Sequence, residues 1–307
     1  MTVYVSPDIL SKAINKSNRI SILSTHWSSG SRNAYSRFVS EHIPDAQFCP
    51  PELALTGLPS REAGRNPLPN KGILQNWVYK WGLDKKTPII IYGQHHGIFS
   101  ARAWWILKWA GFTDIHILDG GLPAWEDAGY PVIAGPGSLP QRFRTEITVG
   151  NMPTIEADEI DQWIKDGGFL LDARDERRFN GIAEKLDFRA GHIPGAINMP
   201  VQDFYNEDRT VLSPDEIRAR FNRAGITDGS KVAVYSGSAL HSCAMIAVME
   251  HGGIGGATLF TGGWSQWAGN PDNPIERSDD YAALRERGLA EPAAARPCHR
   301  ANHVTFV

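Results

Sequence analysis

Lys231-Val232-Ala233-Val234-Tyr235 is followed by Ser236-Gly237-Ser238-Ala239-Leu240-His241 and then by SCAMIAVMEHGG from Ser242. A short β-branched run, a loop of small and polar residues, and an apolar stretch with Met245, Ile246 and Met249 at helical spacing predict a strand, a loop and a helix in succession. The strand lacks polar alternation, as a strand buried on both faces of a parallel sheet should. Its carboxyl end, where a following helix directs free amides outward, is where an open parallel sheet gathers ligands. Six small or polar residues there are expected to cradle the side chain of Ser236 and to favour an anionic group.

The same unit occurs earlier in the chain. Pro88-Ile89-Ile90-Ile91-Tyr92 precedes Gly93-Gln94-His95-His96-Gly97 and the helix-like ARAWWILKWAG, with Trp104, Trp105, Ile106 and Trp109 at helical spacing. Two further landmarks keep the order. His42-Ile43-Pro44-Asp45-Ala46 recurs as His192-Ile193-Pro194-Gly195-Ala196, and LDGGLPAW, ending at Trp125, recurs as FTGGWSQW, ending at Trp267. Three matched landmarks in one order mean two copies of one unit. In each copy short apolar runs (SILST and FLLDA, HILDG and TLFTG) alternate with amphipathic stretches, the α/β pattern of parallel strands crossed over by helices.

The remaining composition sets bounds. A chain of 307 residues suits two domains of about 150 residues. The expected division is 1–140, 150–280 and a C-terminal extension 281–307, with a linker from Gly135 to about Pro153. Hydrophobic residues at 42% exclude a disordered chain, and 31 basic against 34 acidic residues leave no electrostatic footprint for nucleic acid or an acidic membrane. No apolar run approaches the length of a membrane span and the amino terminus lacks a signal pattern, so the expected location is the cytoplasm. Cys49, Cys243 and Cys298 are too few and too scattered for a disulfide framework or a zinc site. Cys298, His299 and His303 of the tail, and the adjacent His95 and His96, read as incidental, so no metal is expected.

Strand, six-residue loop, helix and Gly-Gly-Trp, preceded by Asp172-Ala173-Arg174 and RAGHIPGA, resemble the tandem-domain rhodanese family, and within it the thiosulfate and 3-mercaptopyruvate sulfurtransferases. The resemblance covers about residues 5 to 275 and implies two rhodanese-like domains, each a parallel sheet flanked by helices. It implies a catalytically silent first copy and a second copy whose loop opens with a cysteine. That cysteine takes a sulfane sulfur from a small anionic donor, thiosulfate or 3-mercaptopyruvate, as a persulfide and passes it to cyanide or a thiol. No cofactor is implied. Arg178 in RRFNG and Arg189 in RAGHIP match arginines that grip the substrate, and Gly237, Ser238, Ala239, Leu240 and His241 would line its site. The nearby Arg174 and Arg177 read as charges paired with Asp175 or Glu176, and Arg65-Asn66-Pro67-Leu68-Pro69 resembles a stretch leaning over the interdomain cleft. Neutral Gly237 and Ser238 are similar to the mercaptopyruvate branch.

This chain departs from the family at the decisive position: Ser236 stands where the cysteine is expected, and Ala239 and His241 stand where glycine and threonine are usual. Sulfur transfer needs a thiolate, and a serine hydroxyl stays protonated and carries no exchangeable persulfide. The chain is therefore expected to bind substrate without turning it over. The serine is either a replacement made in the cysteine's place or the natural residue of a member without this activity; the other loop departures favour the latter. A catalytically dead anion- or protein-binding regulatory module is the rival reading. Cys243 as the sulfur carrier, and Ser236 with His241 as a hydrolase pair without a G-x-S-x-G elbow, are weaker alternatives.

Overall fold

The computed structural model describes residues 2–16, 19–26, 31–93, 97–139 and 143–277. His95, His96, Cys298, His299, His303 and the extension 281–307 lie outside the described residues. The first half contains strands β1 (Tyr4–Val5), β2 (Ser21–Ser24), β3 (Ala46–Phe48), β4 (Ile89–Tyr92) and β5 (Ile115–Leu118). Its helices are α1 (Pro7–Asn15), α2 (Ser31–Ser40), α3 (Pro51–Ala54), α4 (Lys71–Trp81), α5 (Ile98–Trp109) and α6 (Gly121–Asp127). The second half repeats the plan with β6 (Thr154–Ile155), β7 (Phe169–Asp172), β8 (Ile197–Asn198), β9 (Val232–Tyr235) and β10 (Thr258–Phe260). Helices α7 (Ile160–Lys165), α8 (Glu176–Phe179), α9 (Pro214–Arg223), α10 (Leu240–His251) and α11 (Gly263–Trp267) accompany them.

Each half is a five-stranded, all-parallel sheet, ordered β1-β5-β4-β2-β3 and β6-β10-β9-β7-β8. The expected α/β architecture of two tandem parallel-sheet domains is what the chain adopts. β4 and β9 lie at the centre and all four residues of each are buried, which is why their sequences carry no polar alternation.

The repeated landmarks act as fasteners. The hydroxyl of Tyr92, at the end of β4, accepts the Ile43 amide, and that of Tyr235, at the end of β9, accepts the Ile193 amide, both at 3.2 Å. The two strand-end tyrosines thus anchor the two His-Ile-Pro turns. Trp125 donates its indole N–H to the Pro131 carbonyl, and Trp267 donates to Pro274. Gly121 and Gly263 take positive φ, +62° and +57°. A Cβ on either would lie 2.5 Å from the carbonyl oxygen of Gly93 or Ser236, so the glycine lets the last turn close against the first residue of the loop.

Helices α5 and α10 pack against each other across the domain interface. That contact keeps both helices largely apolar: Trp104, Trp105, Met245, Ile246 and Met249 sit in one continuous core. The connectors that follow α3 and β8 are exchanged between domains. Arg65 and Asn66 reach the second domain, where the Arg65 amide donates to Ser265 Oγ and Asn66 Nδ2 to Ser238 Oγ. In return, the Tyr205 hydroxyl bonds that of Tyr4, and the Val211 amide donates to Asp119. The linker packs back on the first domain through Gln75, which bonds the Thr145 carbonyl and the Ile147 amide.

Candidate active site

β9 ends at Tyr235 and α10 begins at Leu240, so residues 236–239 make the turn at the carboxyl edge of the second sheet. Ser236 is fully buried. Its Oγ accepts the Ser242 amide at 3.2 Å and meets the Ser242 hydroxyl at the same distance. One amide from the first turn of α10, with one hydroxyl, therefore holds the side chain where a ring of amides was expected. His241 is not among the partners of Ser236. Burial, and then the nearby Arg178 charge, lower the His241 pKa to about 4, so at neutral pH it is uncharged. Among the described residues no base is hydrogen-bonded to the serine, which is the contact a serine–histidine hydrolase pair needs.

Ala239 caps α10 at φ +63°, the left-handed region. In the first domain the cap is Gly97 at φ +69°. A glycine suits this position and alanine is strained in it. The side chains of Ala239 and Leu240 are buried in the core, so of the loop only Gly237, Ser238 and His241 stand near the cleft.

Guanidinium groups crowd the outer face of the loop. A Cβ on Gly237 would lie 2.8 Å from Arg65 Nη2, and 3.2 and 3.3 Å from Arg178 Nη1 and Nη2. Arg178 is held from behind by Glu184 at 3.0 Å and Asp187 at 3.1 Å, while Arg65 pairs with Asp187 at 3.3 Å. A deeper pair, Arg174 with Asp172, closes the network under the loop at 2.6 Å. Burial opposes charge on Glu184, but Arg178 and the amides of Leu186 and Asp187 hold its carboxyl below the usual range. Burial pushes the Asp187 carboxyl up, against the pull of Arg65. The result is two guanidinium edges beside the backbone at Gly237, Arg178 held by two carboxylates and Arg65 more loosely, an arrangement that suits a small oxyanion. Arg177, Arg178, Lys185 and His241 line a cavity of about 510 Å³ at the mouth.

Arg189 is placed differently from Arg178. Its guanidinium donates to the carbonyls of Trp267, Ala268, Asn270, Pro271 and Asn273, which uses all five of its N–H donors. It caps the carboxyl end of α11, and the second guanidinium beside the loop is that of Arg65 from the first domain. Sequence reasoning put Arg65 only in a stretch over the cleft, and missed Glu184 and Asp187.

The corresponding position in the first domain has no room for a side chain. A Cβ on Gly93 would lie 2.5 Å from Thr25 Oγ1 and 2.9 Å from Ser100 Oγ. Thr25 and Ser100, themselves hydrogen-bonded at 3.0 Å, fill the space. Cys49 and Cys243 are fully buried, and burial raises both thiols. Cys243 faces Arg102 at 3.7 Å in the helix interface and is not among the residues that line the cavity at the loop mouth.

Paired parallel sheets, with an arginine-flanked turn at the end of the second central strand, define a protein made of two rhodanese-type units. The family described as Rhodanese-like domain matches residues 6–128 and 156–270, and the chain belongs to it. It is 34% identical over 280 residues to SseB of Mycobacterium tuberculosis, provisionally named a thiosulfate sulfurtransferase, covering 90% of this chain and 97% of that protein. It is 27% identical over 252 residues to the 3-mercaptopyruvate sulfurtransferase of Escherichia coli, covering 80% and 86%. The 3-mercaptopyruvate sulfurtransferase structure from Leishmania major superposes with a TM-score of 0.77 at 26% identity, over 93% of this chain and 78% of that one. No helix among the described residues is long and apolar enough to cross a membrane.

Proposed function

We propose that the second domain is a sulfurtransferase site that binds a small sulfur-bearing anion, thiosulfate or 3-mercaptopyruvate, against Gly237, and that the chain with Ser236 does not carry the sulfur. The observation that supports the reading is the pair of guanidiniums, Arg65 and Arg178, beside the loop whose first side chain points at the amino end of α10. Arg178 Nη1 and the lightly engaged Arg65 would hold the donor's oxyanion, with Ser238 and His241 bordering it.

With a cysteine at 236, the helix terminus would favour the thiolate. The thiolate attacks the sulfane sulfur of thiosulfate, the S–S bond breaks and sulfite leaves; cyanide then removes the outer sulfur as thiocyanate and the thiolate returns. Ser236 supports neither half of this cycle, because its hydroxyl has Ser242 for a partner and no base. The second reading, an anion-binding module without turnover, is favoured by that same fact. Thiocyanate formation from thiosulfate and cyanide separates the two. Turnover in a Ser236→Cys chain and none in the parent supports a transferase site lacking its nucleophile; a folded Ser236→Cys chain that binds thiosulfate without turnover supports the module.

A further inference from the structure

One carboxylate oxygen already sits where two guanidiniums converge. Asp187 Oδ2 lies 3.3 Å from Arg65 Nη2 and accepts Arg178 Nη2 at 3.1 Å. The same two nitrogens edge the space at Gly237, where a Cβ would lie 2.8 Å from the first and 3.3 Å from the second. Asp187 is 4% exposed, so water does little to spread its charge. The charges around it balance before any ligand arrives. Asp172 pairs with Arg174, Glu184 with Arg174 and Arg178, and Asp187 with Arg178 and Arg65, which sets three carboxylates against three guanidiniums. An oxyanion entering beside Gly237 therefore brings a negative charge into a neutral, largely buried network, at a high cost unless one carboxylate gives up its own. Asp172 is held by the Arg174 amide and guanidinium, and Glu184 accepts the Leu186 and Asp187 amides besides Arg178. Asp187 instead leans on the guanidinium tips that a ligand would engage. Burial pushes its carboxyl up, with Glu184 adding to the push and Arg65, Arg178 and Arg174 opposing it. Arg61 and Arg189 line the outer groove with it, and His241 borders the mouth uncharged.

We infer that Asp187 is the internal counter-ion of the site: it holds the guanidinium edges that the donor's oxyanion takes, and accepts a proton from solvent as that anion binds. The inference rests on the sulfurtransferase reading above. The exchange balances as one anion and one proton entering, with the Asp187 carboxylate becoming a neutral carboxyl. Arg65 turns from Asp187 to the anion, while Glu184 keeps Arg178 in place. When the spent anion leaves, the proton returns to solvent and Arg65 pairs with Asp187 again. Asp187 acts through the two arginines, and is therefore a positioning residue.

Calorimetric titration of the full chain with thiosulfate, in bis-Tris and in imidazole at one pH, reads the proton directly, because the two buffers release it with different heats and neither is an anion. The expected result at neutral pH is net proton uptake on binding, with a Kd that rises with pH by up to about tenfold per unit. Asp187→Asn, which keeps an acceptor for Arg178, should bind without uptake and with a Kd that no longer follows pH. Its melting temperature verifies the fold, and the two-buffer comparison on the parent decides the matter even where that variant does not fold. His241→Asn should retain the uptake. Binding without uptake in the parent overturns the inference and leaves the anion site standing. Uptake that persists in folded Asp187→Asn, or vanishes in His241→Asn, overturns it too. A parent that binds no thiosulfate removes the anion site and the inference together. Thiocyanate formation by the Ser236→Cys chain reports separately on sulfur transfer.

Discussion

Replacing Gly237 with alanine places a methyl group where the account puts the substrate oxyanion. Gly237 is not among the residues with positive φ, so alanine suits its backbone. What the methyl would meet is the tip of Arg65 at 2.8 Å and the two Nη atoms of Arg178 at 3.2 and 3.3 Å. Arg65 is partly exposed and among the described residues pairs with Asp187 alone, so it swings aside; Arg178, with Glu184 and Asp187 behind it, stays. Moving a flexible tip costs little, and the stiffer unfolded chain returns about 0.5 kcal/mol, so stability should change by less than about 1 kcal/mol. Anion binding should suffer far more. Loss of one charge-assisted hydrogen bond is worth about 2 kcal/mol, a roughly thirtyfold weaker Kd. Calorimetric titration with thiosulfate measures the affinity, and urea unfolding of the same samples measures the stability. Thiosulfate affinity unchanged in a folded Gly237→Ala chain would refute the placement of the anion beside Arg65 and Arg178.

Ala239→Gly should raise stability by up to about 1 kcal/mol in urea unfolding, because relief of the left-handed φ outweighs the added freedom of the unfolded chain, and Gly97→Ala should do the opposite in the first domain. Arg102→Met should cost about 3 kcal/mol or more by the same measure, since the buried guanidinium serves the carbonyls of Leu55, Asn66 and Pro67, which would lose their donors. Acidification should weaken the fold. His26 and His241 have folded pKa values lowered to about 4, whereas unfolded imidazoles protonate near 6.5, so the unfolded chain takes up more protons between these values and the stability these groups contribute above pH 6.5 is lost as pH falls to 4. Asp119, raised to about 6, works the other way between about pH 4 and 6. Urea midpoints at pH 7 and 4.5 should differ less in His241→Asn than in the parent; an equal difference would remove His241 from the explanation.

The repeated architecture was legible because its fasteners are local and come twice. Tyr92 and Tyr235 close strands onto His-Ile-Pro turns, and Gly121 and Gly263 let helices meet loops, so both leave sequence patterns that survive loop changes. The place of Ser236, in the turn between strand and helix, was legible because the elements on either side of it are strongly patterned. Arg65 was hard to read because its role depends on a connector that crosses to the other domain, a contact no spacing encodes. Arg189 was placed with Arg178 because both match arginines of the resembling family, yet its partners are carbonyls at and beyond the end of α11, and carbonyls carry no side-chain signature. The lack of room at Gly93 likewise comes from Thr25 and Ser100, distant in the chain and small enough to go unnoticed.

Mass spectrometry of the Ser236→Cys protein after exposure to thiosulfate or 3-mercaptopyruvate is the most direct trial of the central claim. One sulfur atom should be added at residue 236, cyanide should strip it off, and the serine parent should stay unmodified under the same treatment. A folded cysteine variant that gains no sulfur from either donor, or a serine parent that transfers sulfur as it stands, would contradict it.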